Sequence, residues 1–288
     1  MAVLADPLPA ERAGGAAPSQ LLERRQALAA ALSDPSQLAL QGGRFEQVDG
    51  IRTVRFGAAS PRGTAMVHFH GGGFRQGQPD MIAGYAAALA KIAGIEVCCP
   101  AYRLAPEHPF PAALNDGMRV IAAMRAEGVE RIILAGDSAG GGLAAGLAQI
   151  CAVKGIAVDA LVLHSPWLDL TASNATYRAN QASDPLFSHA AATEAAELYL
   201  QGHPAEDRFA SPLFADTSCF PPTFISVGGT EVLLGDALAF HERLLGAGRS
   251  AELCAVEVMD HVAVTRGIDL PGARHVMAKT LEFVARYS

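Results

Sequence analysis

The chain has 288 residues, half of them hydrophobic and 18% charged, with 22 Lys and Arg against 29 Asp and Glu for a net charge of −7. A full-sized core is within reach and the composition excludes a disordered chain; the negative balance argues against nucleic acid as a partner. No apolar run reaches the ~20 residues that a membrane-spanning helix requires, and the five cysteines (98, 99, 151, 219 and 254) lack the spacing of a disulfide framework or a zinc site. Asp6 and Glu11 stand where a leader would be basic and then apolar, so a soluble, cytoplasmic protein without a metal or membrane partner is expected.

The first forty residues are rich in Ala and Pro, with one amphipathic helix predicted from about Pro18 to Leu32. Such a segment reads as an arm laid over another part of the chain. From residue 44 the pattern changes: predicted strands Arg44–Val48 and Ile51–Phe56 flank Asp49-Gly50, a strong hairpin signal. Short β-branched runs then follow at Thr64–Phe69, Ile95–Cys99, Arg131–Ala135, Ala160–His164, Thr223–Val227 and Ala251–Val258. Between them lie predicted helices at Asp80–Ala93, Pro111–Glu127, Ala139–Val153, Asp236–Gly246 and Pro271–Ala285. This alternation predicts an α/β fold, a mainly parallel central sheet with helices on both faces. It breaks once, between His164 and Pro222, where a long segment carries its own helix at His189–Leu200. A connection of that length is usually functional. The expected organisation is an arm over 1–43 and an α/β domain over 44–288, with an insertion at about 165–220 that builds a helical cap together with the arm.

The sharpest local pattern is Gly136-Asp137-Ser138-Ala139-Gly140, which follows a predicted strand and opens an apolar helix. The spacing Gly136-x-Ser138-x-Gly140 matches a nucleophile elbow, in which small residues let the backbone turn sharply and present the serine Oγ above the sheet. Ser138 would also sit at a helix N-terminus, which favours developing negative charge. A phosphate loop would want a lysine after the glycines, and none occurs before Lys154. Earlier, His70-Gly71-Gly72-Gly73-Phe74 follows the strand Thr64–Phe69. Three glycines there let backbone N–H groups approach a reacting oxygen, as an oxyanion hole requires, and such a loop is the known partner of the elbow.

With His70–Phe74, the run Tyr102-Arg103-Leu104-Ala105-Pro106-Glu107-His108-Pro109-Phe110-Pro111, Gly136–Gly141, Ser165-Pro166-Trp167-Leu168-Asp169 and Pro221-Pro222-Thr223, the chain resembles the bacterial hormone-sensitive-lipase-like esterases of the α/β-hydrolase fold. The likeness runs from about residue 60 to the end. It implies a serine carboxylic ester hydrolase acting on short- to medium-chain acyl esters, without a cofactor. It also implies Gly71, Gly72 and Ala139 as backbone oxyanion donors, and a cap made of the arm and the insertion.

The acid and the base follow from the order of such sites, serine, then acid, then histidine. The first carboxylate after the strand Thr223–Val227 is Glu231; the next, Asp236, falls on a predicted helix and reads as a dipole partner. The family more often has Asp at the Glu231 position, but Glu suffices to orient an imidazole. Of the three histidines after the acid, His241 and His275 lie within helices, and His261 directly follows the last predicted strand. Ser138, Glu231 and His261 are therefore the expected triad. Asp260 is a poor acid candidate, since adjacent side chains on extended backbone point apart. His70, Glu107 and His108 are expected to be structural, Cys98 and Cys99 small apolar fillers, and Trp167 either a pocket wall or core. The same triad would serve lactone or amide hydrolysis, or acyl transfer. A non-catalytic alternative is a small-ligand binder like the gibberellin receptors of plants, which resemble this family but lack its histidine; His261 argues against it. The last strand would be a sheet edge, so a homodimer through it is expected, as members of the family often pair.

Overall fold

The computed structural model describes residues 8–32, 41–58 and 63–288. Parts of the expected arm, 1–7 (with Asp6) and 33–40, lie outside the described residues. The strands β1 (Arg44–Val48), β2 (Ile51–Phe56), β3 (Thr64–Phe69), β4 (Glu96–Pro100), β5 (Arg131–Asp137), β6 (Ala160–His164), β7 (Thr223–Gly228) and β8 (Ala251–Val256) form one sheet. Its order is β1-β2-β4-β3-β5-β6-β7-β8. Only the β1–β2 and β2–β4 pairs are antiparallel, and from β4 to β8 every pair is parallel.

Alternation along the strands divides the core into two layers. Ala65, Val67 and Phe69 of β3, with Ile132 and Leu134 of β5, pack with α3 (Ala112–Ala126), α4 (Ala139–Lys154) and α7 (Leu234–Gly246). Met66, Ile133 and Ala135 point the other way, onto α2 (Ala83–Ala93) and α9 (Ala273–Val284). Helix α4 is apolar all round and buried along almost its whole length, which suits a helix enclosed between the sheet and neighbouring elements.

The chain order reverses between β3 and β5: β4 lies on one side of β3, and β5 on the other. In open α/β sheets a crevice opens at the carboxyl ends of strands flanking such a switch. The glycine loop after β3 and the elbow after β5 meet there, because Phe69 pairs in register with Gly136. The approach is close enough to exclude a side chain. A Cβ on Gly140 would lie 2.0 Å from the Phe69 carbonyl oxygen, and one on Gly136 2.1 Å from that of Gly140. Gly140→Ala should therefore push α4 off the end of β3 and destabilise the fold by about 3 kcal/mol, seen as a lowered thermal midpoint. An unchanged midpoint would contradict this packing.

The described part of the arm is stitched to the body. In α1 (Ser19–Ala31), Leu21 is fully buried, and Arg25 donates to Glu107 (2.7 and 3.0 Å) and to the carbonyls of Arg75 (2.7 Å) and Ala105 (2.6 Å). Glu107 thus anchors the arm, consistent with the structural role expected of it. Arg12 donates to the carbonyl of Leu200 (2.8 Å), at the end of α6 (His189–Leu200) in the insertion. At the far edge, β8 leaves Ala255 exposed, but Leu253 is half-buried against the core and Val258 lies beyond the strand. Among the described residues no helix is long and apolar enough to cross a membrane.

Candidate active site

Ser138 sits between the end of β5 and the start of α4 with φ 54° and ψ −122°, a conformation non-glycine residues rarely hold and one associated with functional strain. The turn is fixed by its own N–H, which donates to the His164 carbonyl (2.9 Å). The Ser138 hydroxyl donates to His261 Nε2 (3.0 Å), and His261 Nδ1–H donates to Glu231 Oε2 (2.7 Å). All three side chains are buried. The remaining Glu231 oxygen accepts from the Gly228 N–H (2.5 Å) and from the Ser165 hydroxyl (2.8 Å), whose oxygen accepts the Val262 N–H (3.1 Å). Ser165 thus ties the acid's loop to the histidine's loop, a role that the sequence alone did not reveal.

The carboxylate fixes both the tautomer and the charge preference of the imidazole. Burial pushes the His261 pKa down, but the hydrogen bond and charge of Glu231, aided by Asp184 and Asp137, outweigh it and leave the group above its ordinary value. His70 is the opposite case: burial pushes it down to about 4, so its ring is neutral. Its Nδ1–H donates to the Gly71 carbonyl (2.8 Å) while the ring stacks on Tyr102, so it holds the glycine loop rather than moving protons.

The glycine loop departs from one expectation. The Gly71 N–H donates to Asp137 Oδ2 (3.0 Å), and Asp137 Oδ1 accepts from His68 Nε2–H (3.0 Å). Gly71 is therefore not a free oxyanion donor; its amide is spent on fastening the loop to the residue before Ser138. No acceptor among the described residues takes the N–H of Gly72, Gly73 or Ala139. Of the expected donors, Gly72 and Ala139 are thus uncommitted and Gly71 is not, while the neighbouring Gly73 is uncommitted as well. The correction could not be read from sequence, because it depends on where a single carboxylate points.

Ser138 and His261 open into a cleft of about 330 Å³ lined also by Gly71–Gly73, Arg75, Met81, Leu186, Phe187 and Arg266. Phe187 stacks on the His261 ring at 5.8 Å and 12°. It is placed by Asp184, whose Oδ1 accepts the N–H groups of Leu186 and Phe187 (both 3.0 Å) and whose Oδ2 accepts that of Val232 (3.0 Å). Arg24 of the arm reaches the cleft wall, and Glu194 lies 2.6 Å from Arg75 and 3.8 Å from Arg24. Trp167 is not in this wall; it is wholly buried between Phe74 and Phe187 and donates to the Asp169 carbonyl (3.0 Å).

Asp236 is turned elsewhere. It accepts from the N–H groups of Leu168 (3.2 Å) and Asp169 (3.1 Å), the Tyr177 hydroxyl (3.0 Å) and Asn174 (3.3 Å), pinning the start of the insertion to α7. Burial and the nearby Asp169 charge raise its pKa to about 7. Asp260 faces Arg266 at 4.0 Å, and the carboxylate bonded to the imidazole is that of Glu231. Cys98 and Cys99 are buried in β4, with the Cys98 thiol pushed up to about 12 by burial. Among the described residues no cluster of three or more His, Cys, Asp or Glu could hold a metal ion.

A family described by its α/β hydrolase fold matches residues 66–265. The chain is 36% identical over 189 residues to an acetyl-hydrolase of Streptomyces hygroscopicus, covering 65% of this chain and 63% of that protein. It is 30% identical over 234 residues to a carboxylesterase of Mycobacterium tuberculosis (NlhH), covering 77% and 73%. The alignment to the Streptomyces protein thus spans less than two thirds of its length, as does that to an esterase of Acinetobacter venetianus (65%). Among solved structures, a hormone-sensitive lipase from a metagenome library superposes with a TM-score of 0.85 at 30% identity, covering 96% of this chain and 93% of that one. An esterase from the bacterial hormone-sensitive lipase family gives 0.81 at 29%, covering 94% and 99%.

Proposed function

The chain belongs to the bacterial hormone-sensitive-lipase-like esterase family of the α/β-hydrolase fold, and from that premise we propose that it is a carboxylesterase that cleaves short- to medium-chain acyl esters through an acyl-enzyme. The observation that carries the reading is the relay from Ser138 through His261 to Glu231, at 3.0 and 2.7 Å, beside three uncommitted backbone N–H groups. His261 takes the Ser138 proton as Oγ attacks the ester carbonyl, and Glu231 stabilises the imidazolium. The N–H groups of Gly72, Gly73 and Ala139 receive the oxyanion. His261 then protonates the leaving alcohol, and next activates the water that frees Ser138. The names of the acetyl-hydrolase and carboxylesterase relatives point the same way.

The described arm and the segment at about 165–220 act as a cap in this reading, supported by Arg24, Leu186 and Phe187 in the cleft wall. A cytoplasmic location is supported by five unpaired cysteines. The free β8 edge is proposed as a homodimer contact; light scattering at assay concentration should give twice the chain mass, and a monomer mass rejects it.

The direct test is initial rates on p-nitrophenyl acetate, butyrate, octanoate and decanoate. The rate should peak on a short chain; no turnover of any of them counts against the proposal. The pH dependence gives a second check. The base must be neutral, so kcat/KM should fall as pH drops through the His261 pKa. Because that pKa is raised in the folded protein, the acid limb should have its midpoint above the ordinary imidazole value of about 6.5. A midpoint well below that value would show that the titrating base is not this histidine.

A further inference from the structure

A second cavity, of about 240 Å³, adjoins the catalytic cleft. Gly84, Ala88 and Ile92 of α2 form one wall, and Val264 and Ile268, from the segment after His261, form the other. Met81 and Arg266 line both spaces, so these two side chains stand between them. The polar groups of its wall are engaged elsewhere. The Tyr85 hydroxyl is bonded to His164 Nε2 (2.8 Å), the Thr265 hydroxyl donates to the Val262 carbonyl (3.1 Å), and Arg266 faces the His261 carbonyl (3.4 Å) and Asp260 (4.0 Å). Apart from the rest of the Arg266 guanidinium, what meets an occupant is mostly hydrocarbon. The rim is apolar too: Met81, Ile92 and Ile268 are 38%, 63% and 39% exposed, more contiguous apolar surface than scattered residues would leave.

The position of this cavity assigns it to one side of a substrate. A leaving oxygen can take its proton only from His261 Nε2, so the leaving group lies on the imidazole side of the cleft. The cavity wall is built from the residues that directly follow His261. We propose that the cavity is a subsite for the hydrocarbon chain of the leaving alcohol, reached past Met81, whose unbranched side chain can yield to it. This inference rests on the ester-hydrolase reading and extends it to esters of aliphatic alcohols longer than ethanol.

The test is kcat/KM on ethyl, butyl, hexyl and octyl acetate, followed by acid release below the aggregation limit of each ester, with p-nitrophenyl acetate and octanoate alongside. Each methylene that enters an apolar site should raise kcat/KM about fourfold, so the wild-type series should climb and then level. Gly84 offers a plug: a Cβ there meets nothing within 4 Å. Gly84→Phe, and independently Ala88→Trp, should each cut the octyl-to-ethyl acetate ratio by at least tenfold. A flat wild-type series, or a ratio untouched in both variants, overturns the subsite while turnover of p-nitrophenyl acetate keeps the esterase reading. A fall confined to the p-nitrophenyl octanoate-to-acetate ratio would place an acyl chain there and overturn the assignment. No turnover of p-nitrophenyl acetate by the wild type would overturn the reading and the subsite together.

Discussion

Ser138→Ala should lower kcat on p-nitrophenyl butyrate by about 10⁶, the scale at which removing the nucleophile of such a triad removes its whole contribution. The cause is local: without Oγ no acyl-enzyme forms, and neither His261 nor Glu231 has a hydroxyl to act on. What survives is the help that backbone donors and substrate binding give to attack by water, about 10³ to 10⁴ over the uncatalysed rate. The elbow keeps its shape in this variant, because Ser138's fold-determining bond is made by its N–H to the His164 carbonyl and not by its side chain. The thermal midpoint should therefore stay close to that of the parent. A variant that is folded and retains more than about a hundredth of the parent kcat would exclude Ser138 as the nucleophile.

Glu231→Gln should lower kcat by about 10⁴, as removal of the orienting carboxylate does in comparable triads. An amide can still accept one hydrogen bond, but it no longer carries the charge that favours imidazolium, and it can leave His261 in the wrong tautomer. Glu231 also accepts from Gly228 and Ser165, so Glu231→Ala would leave buried donors without partners and cost about 1–3 kcal/mol for each. The glutamine variant separates chemistry from stability better. Asp236→Asn is the control: its contacts run to Leu168, Asp169, Asn174 and Tyr177, away from the imidazole. It should alter the thermal midpoint and leave kcat within about tenfold of the parent. If instead Asp236→Asn is inactive and Glu231→Gln is not, the acid has been assigned to the wrong residue.

The sheet was legible because short β-branched runs and longer helical stretches carry different periods. The predicted strands lie within about two residues of β1 to β8. That Ser138, His261 and Glu231 would come together was legible because position in such a fold is tied to strand ends, and strand ends show in sequence. Gly71 was misjudged for a reason of another kind. Three consecutive glycines look alike, and which amide is free depends on the orientation of Asp137, a residue 66 positions away. The parts of Ser165 and Asp184 were hidden for the same reason: each acts through tertiary hydrogen bonds, and a lone Ser or Asp carries no pattern. The order β4-β3-β5 was equally hidden, since the alternation of elements does not say on which side of the sheet the chain continues.

Asp184 holds the N–H groups of Leu186 and Phe187 with one oxygen and that of Val232, next to Glu231, with the other. The segment over the imidazole and the loop that carries Glu231 are thus tied together through one carboxylate. If a bulky substrate enters by lifting Phe187, the Asp184 tie predicts that the Glu231 loop is displaced with it. Selection by size would then operate on the speed of reaction rather than on the strength of binding: bulky esters would saturate the enzyme normally and turn over slowly.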